Sequence, residues 1–347
     1  MPKYIKKTPK KILVTGGAGY IGAHTVVELL AAGHEPVIID NLSASDTTLL
    51  EGIEKITGRK PNFHKGDCLD KQFLNHLFKT QGRIDCVIHF AAFKSVGESV
   101  ENPLKYHHNN IGSLISVLDA MKENQVKDFI FSSSCTVYGQ ADTIPVDEHA
   151  PFKRAESPYG ATKQICERIL EDVFPTGFRI ISLRYFNPIG AHPSALIGEL
   201  PIGTPNNLVP YITQTAAGLR KKLTVFGNDY NTPDGSCIRD FIHVVDLADV
   251  HVKALEYLIA DTRPKLYDAF NVGTGKGVSV LELVNSFIRV TGVKLPFVIG
   301  TKRAGDIEKV YADPTRVNQK LKWTAKHSME DGLKHAWAWE LKLQKSH

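Results

Sequence analysis

Residues 11–22 read KILVTGGAGYIG, a short apolar run that leads directly into a cluster of glycines. The glycines are spaced as G-x-x-G-x-x-G from Gly16 and as G-x-G-x-x-G from Gly17. After a strand, such glycines let the backbone turn tightly and approach a pyrophosphate, and the amide groups at the start of the following helix then point at the anion. Taken alone, the pattern is also compatible with a plain tight turn.

Asp40 ends the next apolar run, residues 36–40. An acidic residue at this place accepts hydrogen bonds from the hydroxyls of an adenine ribose and repels a 2′-phosphate, although an aspartate there could also serve only to cap a turn. Because strand, glycine turn, helix and acid follow one another in this order, the sequence predicts a dinucleotide site with NAD rather than NADP as the cofactor.

Further apolar runs recur along the first half of the chain, and they are unbroken rather than alternating, which is typical of parallel strands covered on both faces. These runs cover residues 86–90, 128–132 and 180–184, and segments with helical spacing cover 20–32, 70–80, 104–124 and 158–173. The alternation predicts an α/β protein with a Rossmann-type doubly wound parallel sheet.

The composition changes after residue 184, where proline and glycine become frequent. Helical patterns return at residues 245–259, 280–290 and 328–343. We therefore expect a basic N-terminal tail over residues 1–10, an NAD-binding domain over 11–184 to which later segments return, and a smaller, mainly substrate-binding α/β lobe over 185–347.

The composition argues against several classes of protein. Much of the net charge of +5 comes from lysines in the first eleven residues, which is weak support for nucleic-acid binding. The glycines interrupt any signal-peptide-like run, and no apolar stretch approaches the roughly 20 residues that span a bilayer. The 5 cysteines are scattered, which fits neither a disulfide framework nor a zinc site. We expect a soluble cytoplasmic protein that binds no metal, nucleic acid or membrane.

Tyr159 and Lys163 lie four residues apart after Pro158, which favours the start of a helix, so both side chains project from one helix face. A phenol with a pKa of about 10 is a poor base near neutrality, but a nearby ammonium group and an oxidised nicotinamide both favour the phenolate. Tyr159 can then take a proton from an alcohol, and Ser134, at the carboxyl edge of the predicted sheet, could hydrogen-bond the same alcohol. A lone tyrosine–lysine pair is more often an ordinary helix surface; the glycine turn and the serine strand favour catalysis.

With these motifs the sequence resembles the UDP-glucose 4-epimerases, of the extended short-chain dehydrogenase/reductase type, over nearly the whole chain after the first ten residues. The matching stretches are residues 14–22, 87–99, 129–139, 157–163, 183–193, 205–211 and 226–249. The resemblance implies that Ser134, Tyr159 and Lys163 are catalytic. Tyr159 would deprotonate the sugar 4-hydroxyl while the C4 hydride passes to NAD, and the 4-keto sugar would turn over and receive the hydride on its other face. It also implies a homodimer that pairs segments 104–124 and 158–173 with their copies.

The same resemblance implies which residues surround NAD. They are Gly16, Gly19, Tyr20, Ile21, Gly22, Asp40, Asn41, Ser45, Asp67, Cys68, Phe90, Ala91, Lys94, Asn109, Tyr185 and Phe186, together with Ser134, Tyr159 and Lys163. Outside the resemblance, Asp67 and Asn109 would be interpreted as turn and cap residues, and Phe90 and Phe186 as core residues.

A UDP-sugar carries a diphosphate, for which arginine is well suited, and the resemblance assigns Arg239 and Arg303 to it. The other residues implied to hold the substrate are Ser134, Tyr159, Asn187, Asn207, Leu208, Phe226, Asp306 and Val310. Without the resemblance, both arginines could belong to surface ion pairs. Val310 falls where some members of the family carry a bulky tyrosine, which predicts that the N-acetylated UDP-sugars are accepted as well.

Three other functions compete with this interpretation. A sugar-nucleotide 4,6-dehydratase needs an added acid and base, which those enzymes place as Thr-Asp-Glu, where this chain has Ser134, Cys135 and Thr136. A uronate or pentose 4-epimerase would share the same catalytic residues. A non-catalytic NAD-sensing protein would not need the intact set of Ser134, Tyr159 and Lys163.

Overall fold

The computed structural model describes residues 8–302 and 306–345. The strands are β1 (Lys11–Thr15), β2 (Glu35–Asp40), β3 (Asn62–Lys65), β4 (Cys86–His89), β5 (Asp128–Ser134), β6 (Arg179–Tyr185), β7 (Asn187–Ile189), β8 (Leu223–Phe226), β9 (Ile238–Arg239), β10 (Phe241–His243), β11 (Leu266–Val272), β12 (Val278–Ser279) and β13 (Phe297–Gly300). The α-helices are α1 (Tyr20–Ala31), α2 (Thr48–Thr57), α3 (Lys71–Thr80), α4 (Val96–Glu101), α5 (Pro103–Glu123), α6 (Pro158–Val173), α7 (Leu208–Ala216), α8 (Val244–Ala260), α9 (Val280–Thr291), α10 (Thr315–Leu321) and α11 (Met329–Lys345).

A parallel sheet in the order β11-β6-β5-β4-β1-β2-β3 forms the centre of the described chain. The predicted doubly wound fold is therefore confirmed. The chain winds outward in one direction from β1 to β3 and in the other from β4 to β6, so the strand order reverses between β1 and β4. In sheets of this kind, ligands bind beyond the carboxyl ends of the strands at that reversal.

Alternate residues of β1 enter two separate cores. Ile12 and Val14 pack on one face of the sheet and Leu13 on the other, and all three are fully buried. Burying such a side chain contributes roughly 1.5–3 kcal/mol. Coverage of both faces explains why the strands are continuous apolar runs in the sequence rather than alternating ones.

The later part of the chain forms three two-stranded pairs, β7 with β10, β8 with β13 and β9 with β12. A third core lies there, and it includes Ile212 of α7, Phe287 of α9 and Leu333 of α11. Two elements from this part lie with the large sheet instead: β11 pairs with β6, and α8 packs against α1. Of the helices in residues 8–302 and 306–345, none combines the length and apolarity needed to cross a bilayer.

Three buried histidines make the fold sensitive to acid. Burial lowers the pKa of His24, His89 and His243 to about 3, whereas the unfolded chain titrates near 6.5. The folded state therefore binds fewer protons than the unfolded chain. The contribution of these neutral histidines to the stability of the folded state is fully present above about pH 6.5 and is lost as the pH falls toward 3. We expect each histidine to remove up to about 3 kcal/mol from the free energy of unfolding between pH 7 and pH 4.

Urea unfolding measured at several pH values would check this. A His24→Gln variant should show a shallower loss of stability with acid. His149 is exposed, so His149→Gln should keep the slope of the parent protein. Equal slopes for all three proteins would contradict the assignment.

Candidate active site

The glycine turn connects β1 to α1 and is too crowded for side chains. Gly16 has a φ of +69°, and a Cβ on it would lie 2.8 Å from the backbone nitrogen of Ala91. A Cβ on Gly22 would lie 2.3 Å from the carbonyl oxygen of Gly16. Gly19 is the N-cap of α1, and no side chain caps that helix. The first amide groups of α1 are therefore left to a ligand, as a pyrophosphate requires.

Asp40 lies beside this turn at the end of β2. Its carboxylate accepts hydrogen bonds from the backbone of Ala18 at 3.1 Å and of Leu42 at 2.9 Å, and from the hydroxyl of Ser45 at 2.9 Å. A carboxylate offers about four lone-pair sites, so capacity for a ribose hydroxyl remains. Asp40 thus caps a turn at the end of β2.

Residues that follow the neighbouring strands lie at the same edge of the sheet as Asp40. Asn41 donates to Asp67 at 2.9 Å, and Cys68 behind them is buried, which raises its pKa to about 12 and leaves the thiol inert. Beyond β4, the amide groups of Phe90 and Ala91 donate to Thr15, at 3.0 Å and 3.4 Å. Residues from β1, β2, β3 and β4 therefore line one edge of the sheet.

Six more predicted cofactor residues lie on α1 and α5, after β4 and at the end of β6. Lys94 places its Nζ 5.9 Å from the centre of the Tyr20 ring. Tyr185 and Phe186 follow at the end of β6, and the Tyr185 hydroxyl hydrogen-bonds to His251, whose ring packs 4.8 Å from that of Phe90. Asn109 lies within α5, and Ile21 lies in α1. Tight glycines, an uncapped helix and an acid at the second strand end together fit a bound NAD.

Gly22→Ala is expected to weaken NAD binding by about 10- to 100-fold, because the added methyl group must displace the Gly16 carbonyl at a cost of roughly 1–3 kcal/mol. The NAD released from purified protein by heat, and a Kd from titration, would measure it. Gly97→Ala is the matched control, since nothing lies within 4 Å of a Cβ there. Unchanged NAD binding in Gly22→Ala would show that this turn does not hold the cofactor.

Ser134, Tyr159 and Lys163 meet at the same edge of the sheet. Helix α6 starts at Pro158, capped by the Ser157 side chain, which accepts from the Gly160 amide at 3.1 Å. Lys163 is buried and donates to the Ser132 carbonyl at 2.6 Å, with its Nζ 5.9 Å from the centre of the Tyr159 ring. This is the geometry that the four-residue spacing predicts.

Burial shifts the pKa of both Tyr159 and Lys163. It raises the pKa of Tyr159 to about 12, and a hydrogen bond with Ser134 acts in the opposite direction. It lowers the pKa of Lys163 to about 8. Near neutral pH the lysine is therefore still largely cationic, and the tyrosine needs further positive charge nearby before it can act as a base.

Behind these residues lies a buried polar network that sequence reasoning missed. Glu167 follows Lys163 by one helical turn, and its carboxylate accepts from Arg184 at 2.7 Å with both side chains almost fully buried. Ser133, next to Ser134, also donates to Glu167, and Tyr267 does so at 3.1 Å. The network fixes the end of β5 and the first turns of α6 relative to each other.

Two predicted substrate residues lie on strands of the later part of the chain, since Asn187 begins β7 and Arg239 ends β9. Asn187 pairs with β10 through a bond from its amide to the Asp240 carbonyl at 2.9 Å, and Arg239 donates to the Ile238 carbonyl at 2.8 Å. Burial raises the pKa of Tyr230 to about 12, and the charge of Asp306 acts in the same direction while that of Arg239 opposes it. Arg303 lies outside the described residues, as does most of the predicted N-terminal tail.

The remaining substrate residues lie at the start of α7, at the end of β8 and in the segment before α10. Asn207 precedes α7 and Leu208 begins it, while Phe226 ends β8 with 39% of its surface exposed. Val310 is buried in one apolar cluster with Phe186 and Tyr138, against which Cys135, the residue after Ser134, also packs. Asp240, which follows Arg239, is buried and accepts from the backbone of Thr274, Gly275 and Ala312.

Comparisons with known proteins agree with this geometry. The model of the NAD dependent epimerase/dehydratase family matches residues 12–273. The chain is 48% identical to the UDP-glucose 4-epimerase of Dictyostelium discoideum over 95% of both chains. It is 48% identical to that of Bacillus subtilis (strain 168) over 95% of this chain and 96% of the other.

Solved structures agree as well. The fold superimposes with a TM-score of 0.94 on UDP-glucose-4-epimerase from Stenotrophomonas maltophila with bound NAD and formylated UDP-arabinopyranose, at 47% identity over 97% of this chain and 100% of that one. It superimposes with a TM-score of 0.93 on the Bifidobacterium longum enzyme in complex with NAD+ and UDP, at 41% identity and the same coverage of 97% and 100%.

Proposed function

The chain belongs to the NAD dependent epimerase/dehydratase family, and from that premise we propose that it is a UDP-glucose 4-epimerase, which interconverts UDP-glucose and UDP-galactose with NAD retained throughout. The observation that carries this proposal is the meeting of Ser134, Tyr159 and Lys163 beside the glycine turn at one edge of the sheet. The relatives of the same name, at 48% identity over 95% of the chain, support it.

In this proposal Tyr159 takes the proton of the sugar 4-hydroxyl, and Ser134 donates a hydrogen bond to the same oxygen. The chemistry that bound NAD supplies is acceptance of the hydride from C4 and its return. Tyr159 then gives its proton back to the oxygen at C4 once the sugar presents its other face. Since the proton and the hydride both return to the sugar, Tyr159 and the other residues end the cycle in the protonation states in which they began it.

Lys163 makes Tyr159 usable as a base. Its ammonium group lies beside the Tyr159 ring and is held there by the Ser132 carbonyl. Burial alone would keep the phenol protonated, with a pKa of about 12. Positive charge from Lys163 and from an oxidised cofactor favours the phenolate, so Tyr159 becomes an effective base in the NAD-loaded protein.

The test is to incubate the purified protein with UDP-galactose, without added cofactor, and to follow the C4 epimers by chromatography. We expect conversion to UDP-glucose with no net change in NAD. Failure to convert UDP-galactose, even with NAD supplied, would contradict the proposal. A 4-keto-6-deoxy product would instead identify a 4,6-dehydratase.

We also propose that the enzyme accepts UDP-N-acetylglucosamine and UDP-N-acetylgalactosamine. Val310 is a medium-sized residue, packed with Phe186 and Tyr138 next to the catalytic strand end. A tyrosine there would project further toward the sugar and compete with a 2-acetamido group for space.

Val310→Tyr is expected to lower kcat/KM for UDP-N-acetylgalactosamine by about 10- to 100-fold relative to UDP-galactose, the effect of a steric clash of roughly 1–3 kcal/mol. Steady-state kinetics with both substrates would measure the ratio. Tyr311→Phe, one residue further on, is the control for register and should leave the ratio unchanged. The idea fails if Val310→Tyr turns over both substrates as the parent does.

Exposed apolar residues on α5 and α6 support a homodimer. Leu104 is 82% exposed, and Ile115 and Ile165 are 41% and 39% exposed on these adjacent helices. A two-fold axis would cover this surface with its own copy. Sedimentation equilibrium should give about twice the chain mass of 38.4 kDa; a mass of one chain would contradict the dimer.

We infer that the protein works in the cytoplasm. All five cysteines are free thiols, and four of them are buried. Free thiols persist in the reducing cytoplasm, where UDP-sugars would be its substrates.

A further inference from the structure

His251 is a fully buried histidine of α8, the helix that packs against α1 and also contacts β5 and β6. Its Nδ1 atom lies 2.8 Å from the Leu247 carbonyl oxygen, one turn earlier in the same helix. Burial lowers the pKa of His251 to about 4, so the ring is neutral near neutral pH. Because a carbonyl oxygen can only accept, Nδ1 carries the hydrogen and Nε2 presents a lone pair.

The Nε2 atom of His251 accepts a hydrogen bond from the hydroxyl of Tyr185. Burial raises the pKa of Tyr185 well above its usual range, so this hydroxyl keeps its proton and acts as the donor. The ring of Phe90 packs against the other partner of this bond, 4.8 Å from the His251 ring between centres. One buried side chain therefore contacts two residues of the proposed cofactor set.

Tyr185 lies at the reacting end of the proposed site. It pairs directly with Ser134 in the parallel register of β6 with β5. Ser134 and Tyr159 are proposed to hold the sugar 4-hydroxyl, and the nicotinamide must lie close to that hydroxyl for the C4 hydride to reach it. The tilt of the Tyr185 ring therefore affects the surface against which the nicotinamide packs.

We propose that His251 is a positioning residue, which fixes the Tyr185 ring and supports Phe90 so that the nicotinamide of bound NAD presents a single face to the sugar. This inference rests on the proposed function, in which the same face of the nicotinamide accepts the hydride and returns it. Without an acceptor at residue 251, the buried Tyr185 hydroxyl would be left unpaired, and its ring would turn toward another acceptor.

The first test uses bound NAD and needs no sugar. Sodium borodeuteride delivers one deuteride to C4 of the oxidised nicotinamide, and proton NMR of the released NADH shows which of the two C4 positions carries deuterium. In the parent we expect one labelled position, because the other face packs against the protein. His251→Phe keeps a ring beside Phe90 and loses the acceptor for Tyr185. Labelling of the second position should rise at least about tenfold.

Steady-state kinetics with UDP-galactose provides the second readout. We expect His251→Phe to lower kcat by about 10- to 100-fold, because the nicotinamide is then poorly placed for hydride transfer. KM should change less than about threefold, since neither His251 nor Tyr185 is assigned to the nucleotide sugar. The side-chain oxygen of His251→Gln can accept from Tyr185, so this variant should keep kcat within about threefold of the parent and label one position.

A matched control and a second background separate positioning from a general structural role. His243 is also buried, but it lies in β10 and bonds His335 at 3.0 Å, so His243→Phe should lower Tm and leave labelling and kcat unchanged. Tyr185→Phe breaks the same bond from its other end and should label both positions, even if His251→Phe fails to fold. Adding His251→Phe to Tyr185→Phe should lower kcat by less than about a further threefold.

Three results would overturn the inference: one labelled position in His251→Phe or Tyr185→Phe, a His251→Gln protein as impaired as His251→Phe, or additive losses of kcat in the double variant. The readouts also keep the two proposals apart. A parent that labels one position without epimerising UDP-galactose would contradict the proposed function and would still test His251. An active parent whose His251→Phe variant labels one position would contradict the role of His251 alone.

Discussion

Replacing Tyr159 by phenylalanine lowers kcat by an expected factor of about 10² to 10⁴, the usual contribution of a positioned acid–base group. Phenylalanine keeps the ring and loses the oxygen that receives the proton of the sugar 4-hydroxyl. The ring lies beside Lys163 at the start of α6, so the substitution leaves packing and the cofactor edge intact. Kinetics with UDP-galactose would measure the loss of kcat, and the NAD content of the purified variant would show whether the cofactor is retained.

Tyr106→Phe is the matched control for this variant. Tyr106 is also buried and donates to Glu98 at 2.8 Å, but it lies in α5, away from the proposed reacting groups. The Tyr106→Phe variant should lose some stability and retain the kcat of the parent protein. If Tyr159→Phe kept more than about a tenth of the parent kcat with NAD bound, Tyr159 would not be the base.

The pH dependence of the reaction should reflect Lys163. Its pKa is lowered to about 8 by burial, so the ammonium group that favours the phenolate form of Tyr159 is lost as the pH rises through that region. Tyr159 itself ionises more readily at higher pH. The two effects oppose each other. We therefore expect activity to be highest in the pH range where Lys163 is still charged and bound cofactor favours the phenolate form of Tyr159.

The parts of the fold that the sequence predicted are those with local signals. Strands β1, β2, β4, β5 and β6 are continuous apolar runs, and the helix predicted over residues 158–173 is found there with its cap and proline. Two strands of the central sheet, β3 and β11, were not predicted. Strand β3 has a single apolar residue, Phe63, and β11 carries Asp268, whose charge is matched by Arg316 at 2.6 Å from another element. Only tertiary contacts make these segments strands.

The same distinction holds for the site. The spacing of Tyr159 and Lys163 is a local pattern with a chemical use, so it was visible in the sequence. Glu167 was missed because its partner Arg184 lies on another element, β6, and Glu167 itself belongs to none of the matching stretches. Side chains that act through distant partners leave no periodic pattern, and they become visible only when the fold brings them together.

Arg184→Met should lower the free energy of unfolding by about 3–5 kcal/mol, the typical loss when one partner of a buried ion pair is removed. Arg184 holds the Glu167 carboxylate through several hydrogen bonds and also donates to the Tyr138 hydroxyl at 2.9 Å. Without the guanidinium group, Glu167 would be left as an uncompensated charge in the interior. Equilibrium unfolding in urea, monitored by circular dichroism, would measure the loss.

The double variant Glu167→Gln with Arg184→Met is the control that isolates the stranded charge. Its loss of stability should be smaller than that of Arg184→Met alone, because a neutral amide costs less to bury than a carboxylate. The effect should also reach the proposed active site, since Glu167 accepts from Ser133 next to Ser134 and follows Lys163 by one turn of α6. Equal stability of the single and double variants would mean that Glu167 finds water or another donor, and that the pair does not secure this end of β5.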